Sequence, residues 1–128
     1  MMGQIKTEIM WTVGTIKFDT KWACDDRTTI MATLNDIPVG TCIVDYPKDS
    51  KGQAFLWNLQ IDAAFRGQQF GHMLLMEAIR CCNARKCTEV RLVWRKVDSP
   101  DWVLEWYEHN GFEACGFGDG VVEMVKKL

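Results

Sequence analysis

Between residues 54 and 94 the hydrophobic period changes twice, and no all-helical or all-strand chain accommodates that order. AFLWNLQI (54–61) is apolar at most positions and reads as a strand buried on both faces at the centre of a sheet. FRGQQFGHMLL (65–75) then sets Arg66, two glutamines and two glycines, Gly67 and Gly71, ahead of a helical pattern. From His72 to Lys86, the residues Leu74, Leu75, Ala78, Ile79 and Cys82 recur at three and four, with Glu77, Arg80, Asn83 and Arg85 on the other side. TEVRLVW (88–94) returns to a strand pattern.

Glycine is placed where φ is unusual or where something approaches the backbone closely. A strand that runs through such a turn into a helix presents free backbone N–H groups and the positive end of the helix dipole, which together favour an anion, typically a phosphate. A tight strand-to-helix turn with no ligand has the same local sequence. RGQQFG is not a G-x-G-x-x-G fingerprint, and no lysine follows Gly71 as in a Walker loop.

The remaining segments extend the pattern. EIMWTVGTIKFDT (8–20) and RTTIMATL (27–34) are rich in β-branched and aromatic residues and read as strands. NDIP (35–38) reads as a turn and VGTCIVDY (39–46) as the strand returning from it. SPDW (99–102) starts a helix, with Ser99 as cap and Pro100 at the first helical position. That helix carries Val103, Trp106 and Tyr107 on one face and stops at Asn110-Gly111. FEACGF and VVEMVKKL flank the hairpin turn GDG (118–120). The order is β-β-β-β-α-β-α-β-β, an α/β domain, with residues 1–128 as a single unit.

A formal net charge of −2 gives no basic footprint for nucleic acid, and no run of 18 apolar residues offers a membrane span. The N-terminus lacks the layout of a signal peptide, so the expectation is a cytoplasmic protein. None of the six cysteines forms a C-x-x-C pair, so no metal site is expected. Reduced cysteines are, with Cys87 at the helix end as the exposed one. Trp57, Trp94, Trp102 and Trp106 read as core, and His72 and His109 as surface or turn residues.

LQIDAAFRGQQFGHMLLMEAI (59–79) resembles the acetyl-CoA-binding segment of the GNAT superfamily of N-acetyltransferases, where an R/Q-x-x-G-x-G/A turn opens a helix. EWYEHNGFEACG (105–116) is similar to the second signature of that family, a helix ending in Tyr-x-x-x-Gly-Phe, and DGVVEMVKKL (119–128) is similar to its last strand. The resemblance covers residues 27–128. It implies a mixed, mostly antiparallel central sheet with two main helices packed on it, and acetyl-CoA as cosubstrate. By the same resemblance Gly67, Gln68, Gln69, Phe70, Gly71 and His72 match the turn that wraps the pyrophosphate of CoA, led by Arg66. Leu59, Gln60 and Ile61 match the strand end that pairs with the pantetheine arm, and Tyr107 matches the acid that protonates the departing thiolate.

The chain departs from the family pattern in four places. Gln69 stands at the first glycine of the motif, and Ala63 at a usual proline. Asn58 and Gln60 occupy the central strand where many members carry a glutamate base, leaving Asp62, Glu108, Glu113 or a water chain to take the proton. Only DTKWACDD (19–26) separates the candidate strands where the family inserts two helices, and eight residues cannot form them. The acceptor side is therefore open, or completed by a second subunit as in a homodimer. Transfer of acetyl to a primary amine is the expected activity; the alternatives are a CoA-binding regulatory module acting on a protein partner and an ordinary structural α/β domain.

Overall fold

A computed structural model describes the backbone of residues 4–11, 14–24, 26–67 and 69–128, and the side chains of residues 16–20, 26–67 and 69–128. Five strands come first: β1 (Gln4–Trp11), β2 (Gly14–Cys24), β3 (Arg27–Leu34), β4 (Ile37–Asp45) and β5 (Gln53–Ile61). A single 3₁₀ turn (Ala63–Phe65) leads to α1 (Phe70–Ala84), followed by β6 (Glu89–Arg95), α2 (Asp101–His109), β7 (Glu113–Gly118) and β8 (Val121–Lys127). The eight strands form one sheet in the order β1-β2-β3-β4-β5-β6-β8-β7, antiparallel throughout except between β5 and β6. This is the mixed, mostly antiparallel α/β architecture with two helices.

The N-terminal third holds one strand more than the sequence reading. Residues 8–20 belong to two strands of a hairpin in which Trp11 pairs with Gly14. The dipeptide between them, Thr12-Val13, is β-branched and carries no turn signal. Residues 19–24, read as a connection, continue β2 to Cys24; Asp25 lies outside the described residues. After β3 the chain reverses on Asn35 and Asp36, both at positive φ (52° and 68°), as a two-residue hairpin loop requires. Ile37 and Pro38 therefore belong to β4 and not to the turn.

Alternation along the strands sorts the core to one face. Ile16, Phe18, Ile30, Ala32, Val44, Ala54, Leu56, Val90, Leu92 and Met124 pack with Leu74, Leu75, Ala78 and Cys82 of α1 in a single cluster. Burial of leucines such as Leu74 and Leu75 contributes about 1.5–3 kcal/mol each. Leu104, Trp106 and Tyr107 of α2 pack against the same cluster. The helix α1 ends where Lys86 turns to φ 61° and the Cys87 N–H donates back to the Cys82 carbonyl (3.0 Å), a closing bond six residues wide. At the start of α2, Pro100 is the cap residue with extended backbone, Asp101 is the first helical residue, and no side chain caps the helix, so Ser99 does not serve as cap.

Among the described residues no helix covers the opposite face, so β5 is not buried on both sides. Phe55 (36%), Trp57 (42%), Met31 (44%) and Val93 (49%) are exposed there, and Trp57 and Trp102 are not core. Trp94 is buried and Trp106 half-buried. Ion pairs share the bare face with these apolar residues, including Arg27–Asp45 and Lys127–Glu89 (both 2.6 Å) and Arg91–Glu89. Phe and Trp fit a half-exposed pleated surface as well as a buried one, so composition alone does not separate the two.

Candidate active site

The sheet divides at its one parallel pair. β5 and β6 are joined only through Gln53↔Glu89, Ala54↔Val90 and Phe55↔Arg91. Beyond that point β5 continues beside β4 as far as Ile61↔Gly40, and β6 continues beside β8 as far as Arg95↔Val121. A slot thus opens between them, walled on one side by β5 backbone that has no strand partner on its β6 edge. Asn58 (φ 53°) lies in the irregularity where the β4–β5 register shifts between Thr41 and Ile43. Its left-handed backbone is one that Asn tolerates better than most residues. The bulge reverses the face: Trp57 and Asn58 are both exposed, while Leu59 and Ile61 pack toward the helices and Gln60 faces away, exposed.

The strand end meets the start of α1. Arg66 Nε donates to the Ile61 carbonyl (3.0 Å), which folds the turn back onto β5. Gly67 has φ 80°, and a Cβ added there would meet nothing within 4 Å, so the turn needs glycine for its backbone and borders open space. Gln68 lies outside the described residues. Gln69 is exposed and caps the helix at φ 67°, the conformation that explains a glycine at this motif position. Phe70 is buried and meets Phe65 edge-on (6.1 Å). Gly71 is a packing position: a Cβ there would stand 3.7 Å from both Ile61 and Trp106. The first helical bond runs from Met73 N–H to the Gln69 carbonyl (3.1 Å), so the N–H groups of Gly71 and His72 precede the helical ladder. A diphosphate fits this turn: open space at Gly67, donors at Gly71 and His72, and the dipole end of α1.

Asn110 joins this turn to α2. Its amide Nδ2 donates to the Trp106 carbonyl (2.8 Å), which fixes the amide so that Oδ1 faces His72 Nδ1 at 3.0 Å. An amide oxygen only accepts, so His72 carries its hydrogen on Nδ1 and leaves Nε2 turned elsewhere. Lys126 Nζ donates to the Asn110 carbonyl (2.9 Å), which ties the same residue to β8.

Tyr107 sits on the core face, with Trp106 (5.1 Å) and Phe112 (5.6 Å) edge-on to its ring. Burial first, and Cys42 second, push its hydroxyl up to about 12. Cys42 lies at the β4 register shift opposite the Asn58 bulge. Among the described residues no protein group hydrogen-bonds the Tyr107 hydroxyl, and Asp62 is engaged at Ala64 N–H (3.1 Å) as a turn cap. Glu108 and Glu113 are exposed on α2 and β7, away from the bulge. Among the described cysteines Cys115, not Cys87, is the exposed one; Cys87 is half-buried. Sequence reasoning missed Asn110 as a bridge and Asn58 as a bulge. The signal for Asn58 was an asparagine inside a strand run, where that residue is depleted.

Residues 25–114 match the family model described as Acetyltransferase (GNAT) domain. The chain belongs to the GNAT family. Among solved structures this GNAT chain superposes on the PaiA N-acetyltransferase from Thermoplasma acidophilum in complex with coenzyme A, with a TM-score of 0.72 and 20% identity over 80% of this chain. The GNAT chain spans 62% of the length of that protein. A GNAT family acetyltransferase from Elizabethkingia anophelis with acetyl-CoA bound gives a TM-score of 0.69 and 16% identity over 80% of this chain and 77% of its own. The ribosomal-protein-S18-alanine N-acetyltransferase from Escherichia coli gives 0.69 and 21% over 81% of this chain and 70% of its own. At these identities the likeness is one of fold. Among curated proteins none matches the chain in sequence. No helix among the described residues is long and apolar enough to cross a membrane.

Proposed function

We propose that the chain is an acetyl-CoA-dependent N-acetyltransferase that moves an acetyl group to a primary amine by direct attack. The observation that carries this reading is the β5 backbone beyond Phe55, which has no strand partner on its β6 side and leads toward the start of α1. In this reading Leu59, Gln60 and Ile61 pair with the pantetheine arm as an added strand would. Gly67, Gln68, Gln69, Phe70, Gly71 and His72, led by Arg66, surround the diphosphate. The amine nitrogen attacks the thioester carbonyl carbon, a backbone N–H near the end of β5 holds the oxyanion, and the C–S bond breaks. The ammonium first gives one proton to solvent, the neutral amine loses a second on attack, the thiolate gains one beside Tyr107, and amide and free CoA leave.

The acceptor comes from the bare face of the sheet, open in one chain or walled by a second copy. Buried thiols such as Cys42 and Cys82 suit a reducing, cytoplasmic setting. A second reading, a CoA-binding regulatory module without turnover, draws support from Asn58 and Gln60, amides that cannot take a proton from an amine. Calorimetry with acetyl-CoA and a thiol-release assay over a panel of primary amines test both. Binding with release supports the enzyme, binding without release supports the regulator, and absence of binding overturns both.

A further inference from the structure

On the bare face, at the vertex of the slot, lies a cavity of about 90 Å³ lined by residues that include Phe55, Arg91, Val93, Cys115, Glu123 and Met124. Phe55 and Arg91 are the last parallel pair of β5 and β6, so the cavity sits where the two strands begin to separate. Val93 is the next residue of β6 on that face and pairs with Glu123 of β8. Cys115 falls in the β7 irregularity between Ala114 and Gly116, which brings its backbone to the rim.

We propose that this cavity binds the acceptor as a small primary ammonium, with its charge on the Glu123 carboxylate and its carbon stem against Phe55 and Val93. The proposal rests on the N-acetyltransferase reading and adds where the amine is held. Three observations support it. Glu123 is exposed, and no described side chain hydrogen-bonds its carboxylate. The other carboxylates near the slot are engaged: Asp45 by Arg27 (2.6 Å) and Trp57 Nε1 (2.9 Å), Glu89 by Lys127 and Arg91, and Asp62 by Ala64 N–H. Arg91, the cation of the lining, has its Nε committed to Glu89 and also lies within electrostatic reach of Glu123, so an ammonium on Glu123 shares that carboxylate with it.

The chemistry of the cavity is selective. A carboxylate beside an aromatic ring attracts a cation twice, by charge and by the face of the ring. About 90 Å³ leaves room for an ammonium and a short alkyl stem. A carboxylate-bearing acceptor would meet Glu123 as a like charge. An amine held here faces the slot from the side opposite Tyr107, so nucleophile and leaving group stand on opposite faces of the sheet.

The test compares the wild-type protein with Glu123→Gln, an exposed and nearly isosteric change. Butylamine is titrated by calorimetry into protein saturated with CoA, and thiol release from acetyl-CoA is measured with butylamine and with glutamate. Butylamine Kd and KM should rise about 10-fold or more in Glu123→Gln, as for loss of a charge-assisted hydrogen bond. Acetyl-CoA affinity should stay unchanged, and glutamate should be a poor acceptor for the wild type. Unchanged Kd and KM in the variant would overturn the pocket while leaving the N-acetyltransferase reading intact. Wild-type protein that binds acetyl-CoA and releases no thiol would overturn that reading, yet weakened butylamine binding in Glu123→Gln would still support the pocket.

Discussion

Replacing Tyr107 by Phe separates two ways in which a phenol can help a thiolate leave. The hydroxyl has been pushed up to about 12 by burial and by Cys42, whereas a thiol ionises near 8.5. At about 1.4 kcal/mol per unit, handing the proton fully to the thiolate is uphill by on the order of 5 kcal/mol. In the proposed mechanism Tyr107 would therefore act chiefly as a hydrogen-bond donor to the developing charge, and the proton that ends on sulfur would follow from the amine or from water. A hydrogen bond to a charged group contributes about 1.5–3 kcal/mol, so Tyr107→Phe should lower kcat about 10- to 150-fold. That is less than the upper end of general acid catalysis, about 10⁴-fold. The ring packing against Trp106 and Phe112 survives, so acetyl-CoA affinity and Tm should hold. The wild-type rate should also show no alkaline fall from this group below about pH 10, because the phenol remains protonated there. Steady-state thiol release between pH 7 and 10 measures both. A kcat within threefold of wild type, or a loss beyond 10³-fold, would refute the donor argument.

The Asn58 bulge should tolerate glycine and resist branching: Asn58→Gly should leave the urea midpoint nearly unchanged, while Asn58→Val should cost about 1–2 kcal/mol for a β-branched residue at φ 53°. Equal midpoints would show that the bulge relaxes on substitution. Gln69→Gly should raise stability by about 1 kcal/mol by removing a left-handed glutamine, read as a higher Tm without loss of acetyl-CoA affinity. Cys42 is raised to about 12 by burial, then by Cys81 and Glu77, from an ordinary value of 9.0. It keeps its proton in the folded chain after the unfolded chain has lost it, so its contribution is whole below pH 9 and drains as pH rises toward 12. The urea midpoint should fall between pH 8 and 10, by about 1.4 kcal/mol for this group, and a flat profile would contradict its burial.

Residues 54–94 were legible because each element announced itself by period: an apolar run, a glycine turn, then a stripe at Leu74, Leu75, Ala78, Ile79 and Cys82. The β1–β2 hairpin was not, since Thr12-Val13 has the β-branched character of the strands around it. Trp57 and Phe55 carry no mark that distinguishes a covered face from a bare one, so the missing cover became visible only once both helices were found on the other side. Asn110 could be read as a helix stop, yet its reach to His72 depends on two helices meeting, which local sequence does not encode. Nothing in VVEMVKKL marks Glu123 out; its placement beside the slot comes from the β6–β8 pairing.

The short parallel pair has a mechanical consequence. Strands β1–β5 and strands β6–β8 are stitched to each other along the sheet only from Gln53 to Phe55, and α1 is the covalent bridge between them. A molecule lying along β5 would lengthen that seam, so ligand and sheet would share one cooperative unit. By mass action, a ligand at a hundred times its Kd adds about 2.7 kcal/mol to the folded state. Amide hydrogens at the outer end of β5 would then exchange at a rate set by ligand concentration, and the lifetime of the folded chain would follow the supply of what it binds.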